Sequence, residues 1–284
     1  MDLIATARDD APAGRLPAAR AQALAAEAGL AMPALMLALI ELASERARPA
    51  LSGYRVGAVG QGLSGDLYLG ANFEMPAGPL SFTIHGEQAV VINALGGGER
   101  GLRRLAISAA PCGVCRQFLY ELAGAERLEL LLAERRVMRL TEVLPEAFGP
   151  GDLGVTGALM ARAAPTLPEL EDCADPLAQV AWAAAARSYV PYTDSAAGIA
   201  LRLKDGAIHS GSAIENAAYN PALMPLQVAL SAVAMAGGEP GSVVEAVLVE
   251  AAGAKLAFTE PSRMLLQSIA PDCAFSARAV TRSP

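Results

Sequence analysis

The chain has 284 residues, 53% of them hydrophobic and 18% charged, which excludes intrinsic disorder and supplies apolar surface for one large or two smaller domains. Lys plus Arg number 22 against 29 Asp plus Glu, and the net charge of −7 argues against the basic footprint of a nucleic-acid binder. No apolar run approaches the ~18–20 residues of a membrane span, and Met1-Asp2-Leu3-Ile4 opens no signal-peptide core, so a cytoplasmic protein without membrane attachment is expected.

Residues 16–46 are rich in Ala and Leu, and Pro33 divides them into two expected helices within an N-terminal helical segment, residues 1–48. From Arg55 the texture becomes β-prone. Arg55–Gln61, a Ser64-Gly65-Asp66 turn and Leu67–Ala71 predict a hairpin. A helix is expected from His85 to Leu95, stopped by Gly96-Gly97-Gly98, and a strand over Leu102–Ala109. Pro111 is expected to open a helix reaching Ala123, followed by a strand over Leu128–Ala133. Strands alternating with helices predict a layered α/β domain with partly parallel pairing. Phe148-Gly149-Pro150-Gly151-Asp152-Leu153 closes it, which gives residues 49–153 as one domain and 154–174 as a linker.

Residues 175–284 read as a degenerate second copy. Gly57–Leu69 can be laid on Gly198–Ser210, and Gly70-Ala71-Asn72-Phe73-Glu74-Met75 on Gly211-Ser212-Ala213-Ile214-Glu215-Asn216. His85-Gly86-Glu87-Gln88-Ala89 is laid on Pro225-Leu226-Gln227-Val228-Ala229. Polar residues of the first copy thereby become Ala213, Pro225 and Gln227, and no C-x-x-C follows residue 240.

The chemistry concentrates in His85-Gly86-Glu87 and Pro111-Cys112-Gly113-Val114-Cys115, the H-x-E…P-C-x-x-C signature of zinc deaminases. Two thiolates and one imidazole suit Zn²⁺ and leave a fourth tetrahedral position for water. Cys112 and Cys115 lie one turn apart at an expected helix start, where the dipole favours thiolates by ~0.3–1 kcal/mol. Glu87 then stands near the metal, free to move protons. A structural zinc site would need a fourth protein ligand, and a redox pair would not need the histidine. Cys173, Cys273 and His209 read as bystanders, His209 as a surface residue. Arg116 reads either as a donor to a thiolate or as an exposed helix residue.

These motifs, with Cys115-Arg116-Gln117 and Asn216-Ala217-Ala218-Tyr219-Asn220-Pro221, resemble the longer, two-lobed, homodimeric bacterial cytidine deaminases. The resemblance implies a duplicated three-layer α/β/α core and one Zn²⁺ per chain held by His85, Cys112 and Cys115. It implies hydrolytic deamination of cytidine and deoxycytidine in pyrimidine salvage, with Glu87 as proton carrier. Asn72 and Glu74 would bind the ribose 3′-hydroxyl. Tyr54 stands where the family usually has a Phe on the pyrimidine, Gly86 where it more often has Ala, and Phe148 is a further pocket residue. Ala218 and Tyr219 would complete the partner's site across a two-fold interface. Asn72 also reads as a turn residue, Glu74 as a solvated charge and Phe148 as core. A deaminase of another nucleoside, base or nucleotide, and a zinc-stabilised binding module without turnover, are the alternative functions.

Overall fold

A computed structural model describes residues 2–76, 78–132, 136–168, 170 and 174–281. It separates into two compact units. Met1–Glu74, Thr83–Ala161 and Ala234–Gly237 form the first; Met75–Phe82, Arg162–Val233 and Gly238–Pro284 form the second.

The first unit opens with α1 (Leu3–Asp10), a helix not separated by the sequence reading, in which the Asp2 carboxylate accepts from the N–H groups of Ile4 and Ala5. β1 (Arg15–Leu16) follows. The apolar stretch then makes three helices instead of two: α2 (Ala18–Glu27), α3 (Met32–Ala38) and α4 (Ile40–Glu45). Pro33 does not break a helix but sits in the first turn of α3, where no N–H is needed. The stretches Ala18–Glu27 and Met32–Glu45 turn 91° against each other, and among the described residues no single helix is long and apolar enough to cross a bilayer.

The expected hairpin is present as β2 (Gly57–Gly62) and β3 (Leu67–Ala71), antiparallel with Gly57 opposite Ala71. α5 (Gly86–Gly96), β4 (Leu102–Ile107), α6 (Gly113–Leu119) and β5 (Glu129–Leu132) come next. β6 (Val137–Arg139) and α7 (Leu140–Val143) are too short to have left a periodic signal. The expected end of β5 at Ala133 lies outside the described residues. The sheet order is β1-β3-β2-β4-β5-β6, with β4 and β5 parallel and the other neighbours antiparallel. α6 stops short of Ala123 because the chain after Tyr120 turns out to pair Leu122 with Leu159, which keeps residues to Ala161 in this unit.

Alternation along the strands assigns one helix layer to each face. Val59, Leu67, Leu69, Ala106 and Leu131 share a core with Leu24, Leu35, Met36, Leu39 and Leu42 of the N-terminal helices. Gly60 and Gly70 face α5 on the other side. A Cβ on Gly70 would stand 2.4 Å from the Gly86 carbonyl oxygen and from the Val90 nitrogen, so the helix backbone rests directly on β3.

The second unit contains α8 (Pro176–Ala185), β7 (Ala197–Leu203), β8 (Ile208–Ser212), α9 (Pro225–Met235), β9 (Val243–Ala251), α10 (Thr259–Ile269) and β10 (Ala274–Val280). Its order β10-β9-β7-β8 repeats the arrangement of β5-β4-β2-β3, again with one parallel pair between two crossover-linked strands. The register shift at Gln61/Gly62 in β2 recurs at Arg202/Leu203 in β7. Gly198 lies against α8 and Gly211 against α9, where a Cβ would meet the Pro225 oxygen at 2.2 Å. The three-layer α/β/α core is duplicated.

Gly70→Ala is expected to destabilise the first unit by at least ~1–3 kcal/mol, because the groups it would strike are backbone and cannot rotate away. Gly96→Ala, with nothing within 4 Å of the added carbon, should be neutral or stabilise by about 0.5–1 kcal/mol. Urea unfolding midpoints of the two variants measure the contrast.

Candidate active site

Two helix N-termini deliver the reactive side chains. His85 is the N-cap of α5, and its backbone N–H donates to Gln88 Oε1 at 2.9 Å. Cys112 is the N-cap of α6, which places Pro111 just before the helix instead of inside its first turn. Cys115 follows one turn later and is fully buried, whereas Cys112 is exposed. Arg116 takes neither expected role: its Nε donates to the Pro111 carbonyl and its Nη1 to the Val143 carbonyl, both at 2.8 Å. It staples the entry to α6 onto α7.

The ligand atoms of His85, Cys112 and Cys115 all lie within 4.8 Å of one another, the one such group of His, Cys or carboxylate side chains among the described residues. Cys112 Sγ stands 3.6 Å from His85 Nδ1. Zinc bonds of about 2.3 Å to sulfur and 2.0–2.1 Å to nitrogen at a tetrahedral angle require a separation of about 3.6 Å between these atoms. The donor set and its spacing therefore fit zinc. The two thiols are differentiated: the hydrogen bond from Cys115 pulls Cys112 down to about 5 against its partial burial. That bond and burial push Cys115 up.

Glu87 is 4% exposed, and burial raises its carboxyl above the ordinary range, opposed by its own backbone N–H and the charge of His85. It interacts with Cys115, beside the ligand set. A buried carboxyl held near its proton is suited to exchange one with a reacting group. Gly86 is buried, and a Cβ there would approach Val56 Cγ1 to 3.2 Å, so this position leaves little room even for Ala.

Tyr54, Asn72 and Glu74 form a second cluster. Asn72 and Glu74 are each 7% exposed, which rules out the reading of Glu74 as a solvated charge. Asn72 Nδ2 donates to the Tyr54 carbonyl and Asn72 Oδ1 accepts from Val56 N–H, both at 2.9 Å. The Tyr54 ring itself is exposed. Burial raises the Glu74 carboxyl, but donors from Ser52 and Leu51 outweigh it and hold the group below its ordinary value. That stabilisation is present above the unfolded-state pKa and is lost as pH falls through the lowered one. Phe148 is exposed, not core, and its carbonyl accepts from Gln117 Nε2 at 2.9 Å.

Ala218 and Tyr219 belong to the second unit. Ala218 N–H donates to Asn216 Oδ1 at 3.0 Å. Tyr219 is exposed, adopts φ +61, and its ring lies 6.2 Å from that of Tyr192. A left-handed backbone costs a side-chain-bearing residue about 1–2 kcal/mol. His209 is half-buried in β8 instead of lying on the surface, and burial lowers its pKa. Cys273 is half-buried with its thiol pushed up to about 11 by burial, and Cys173 lies outside the described residues.

The repeat pairs differently at this point from the sequence reading. Ile84 bridges Phe73 as Leu223 bridges Ile214, and Met224 N–H caps on Gln227 Oε1 as His85 does on Gln88. Gly70 meets Gly86 and Val90 as Gly211 meets Pro225 and Ala229. The counterparts of His85 and Glu87 are thus Met224 and Leu226, and Gln227 matches Gln88. The connecting loop is two residues shorter in the second copy, which sequence identity this low does not reveal.

A buried carboxyl beside a His-Cys-Cys set on two converging helix starts defines a zinc-dependent deaminase site. A family profile described as "Cytidine and deoxycytidylate deaminase zinc-binding region" matches residues 33–130, and a second profile of the same description matches residues 140–263. A protein of Shewanella sediminis named cytidine deaminase is 38% identical over 258 residues, 91% of this chain and 86% of that one. One of Vibrio atlanticus with the same name is 40% identical over 244 residues, 86% and 82% of the two chains. The crystal structure of cytidine deaminase from Mycobacterium tuberculosis aligns at 30% identity and a TM-score of 0.38, covering 41% of this chain and 96% of that one. The chain belongs to the cytidine deaminase family.

Purified and dialysed protein should carry one equivalent of zinc per chain, because Met224 and Leu226 stand where the second copy would need ligand and proton carrier. Cys112→Ala should lose the metal, measured by atomic absorption.

Proposed function

We propose that the protein hydrolyses cytidine and deoxycytidine to uridine and deoxyuridine with release of ammonia, in pyrimidine salvage. The observation that carries this is the 4%-exposed Glu87 set beside His85, Cys112 and Cys115 in a chain of this family. Zinc held by those three residues supplies Lewis acidity toward the attacking water. Glu87 takes a proton from that water and passes it to N3 of the ring, which makes C4 more electrophilic. It then takes the second proton, from the hydroxyl added at C4, and delivers it to the departing amine, so that the C4 carbonyl forms as the C–N bond breaks and ammonia leaves. Each transfer of this kind is typically worth ~10²–10⁴-fold. Asn72 and Glu74 meet the ribose 3′-hydroxyl, Tyr54 and Phe148 border the base, and Gly86 offers backbone groups to it. Residues 49–153 form the catalytic domain and 175–284 its degenerate copy, in a cytoplasmic enzyme.

Glu87→Gln should retain the fold and the zinc while kcat on cytidine falls by two orders of magnitude or more, since the amide fills the space without carrying the proton. Steady-state assays on cytidine, cytosine and dCMP, run on the unaltered protein, should rank cytidine first. Preference for cytosine or dCMP would reassign the substrate, and turnover of Glu87→Gln above a tenth of normal would reassign the proton carrier.

The active protein is a homodimer in which Ala218 and Tyr219 of one chain complete the site of the other. Tyr54, Val114, Phe148 and Leu153 expose apolar surface in the first unit, and Tyr219 exposes its ring on a strained turn in the second. Two-fold pairing is the commonest way to cover such surface. A chain bearing Glu87→Gln co-expressed with one bearing Tyr219→Asp should form mixed dimers with one intact site and regain up to about half of normal activity per dimer. No recovery on mixing, or full activity in a monomer by sedimentation, would refute the arrangement.

A further inference from the structure

The loop that carries Tyr54 is fastened to the fold by hydrogen bonds to Glu74 and Asn72, and the Ser52 hydroxyl links the Glu74 carboxylate to the Tyr54 N–H. Glu74 Oε2 accepts from the backbone N–H of Leu51 at 2.7 Å and of Ser52 at 2.8 Å. Its Oε1 accepts the Ser52 hydroxyl at 2.5 Å. Ser52 Oγ in turn accepts from the Tyr54 N–H at 3.0 Å. With the carbonyl of Tyr54 on Asn72, both backbone groups of the aromatic residue are held by side chains. Leu51 is 53% and Tyr54 61% exposed, so no buried apolar group anchors this loop. The hydrogen bonds decide where it lies.

The second copy repeats half of this device. Glu215 accepts from the N–H groups of Tyr192 and Thr193 and from the Thr193 hydroxyl. Thr193 Oγ1 accepts from the Ser195 N–H at 3.2 Å. Met224 and Leu226 leave that copy without the means for chemistry, yet the carboxylate and hydroxyl persist. A clamp kept where nothing reacts has a positional purpose: it sets the loop. The amide of Asn72 is what the second copy lacks, having Ala213 in its place.

We propose that Ser52 is a positioning residue of the deaminase, transmitting the fixed place of Glu74 to the backbone of Tyr54. The carboxylate at the ribose end of the pocket and the aromatic ring at its pyrimidine end then move as one hydrogen-bonded unit. This rests on the reading of Tyr54 and Glu74 as nucleoside contacts. Without the hydroxyl, Glu74 Oε1 loses its donor and Tyr54 N–H its acceptor, so the ring is no longer placed before substrate arrives. The penalty falls on binding, because Glu87, His85 and the cysteines stand on α5 and α6 and keep their own caps.

Ser52→Ala is expected to raise KM for cytidine about five- to tenfold with kcat within about twofold of normal and zinc content unchanged. Ser52→Thr should restore KM, since Thr193 makes the same bonds in the second copy. Tyr54→Ala, assayed alongside, tests the underlying reading and should also raise KM. If Tyr54→Ala raises KM while Ser52→Ala does not, or if Ser52→Thr fails to rescue, the positioning role is overturned and the contact reading stands. If Ser52→Ala lowers kcat and zinc content together, the hydroxyl is merely structural and the proposal fails. An unchanged KM in Tyr54→Ala overturns the contact reading and the proposal with it.

Discussion

An imidazole and two thiols from distant stretches of chain can share one tetrahedral ion only if two helix starts face each other to within a few tenths of an ångström. In this protein that demand is met by seating the first turn of α5 directly on the backbone of β3. Gly70 makes the seat: any side chain there would push against the Gly86 carbonyl and the Val90 nitrogen and lift His85 away. α6 reaches the same place from the end of β4, with Arg116 stapling Pro111 to the end of α7. The 3.6 Å between Cys112 Sγ and His85 Nδ1 is the outcome of those contacts. The metal site is therefore a consequence of helix-on-sheet packing before it is a matter of ligand identity.

The duplicated copy separates what packing requires from what chemistry requires. Gly211 still admits α9 to β8, Gln227 still caps its first turn, and Glu215 still holds its loop through Thr193. Each of these removes a clash or satisfies a backbone group, and losing any of them would leave the fold with an unpaired polar group or an overlap. His85, Glu87 and Asn72 have become Met224, Leu226 and Ala213, which cost the fold nothing and in two cases suit the interior better. Buried Glu87 is the reverse case. A desolvated carboxyl at this position is a liability for stability; the first copy keeps it beside the His85, Cys112 and Cys115 set, and the second has Leu226 in its place.

The amino-acid sequence by itself determined the hairpins, the helix after each of them, the ligand set and the existence of a repeat. Those features are local: turn residues between alternating strands, caps at helix starts, and residue types whose coordination chemistry is the same wherever they stand. It also confined the H-x-E and C-x-x-C pattern to the first copy, because a missing C-x-x-C is visible without coordinates. The three-helix division of the N-terminal segment, the early end of α6 and the short β6 and α7 were decided by tertiary contacts such as the pairing of Leu122 with Leu159. The correct partners of His85 and Glu87 in the second copy emerged only from matching hydrogen bonds across a loop of different length. The hydrogen bonds of Ser52 and Arg116 emerged in the same way. Each depends on which acceptor lies within about 3 Å in space, and residues separated by 22 or 27 positions carry no mark of that in their order along the chain.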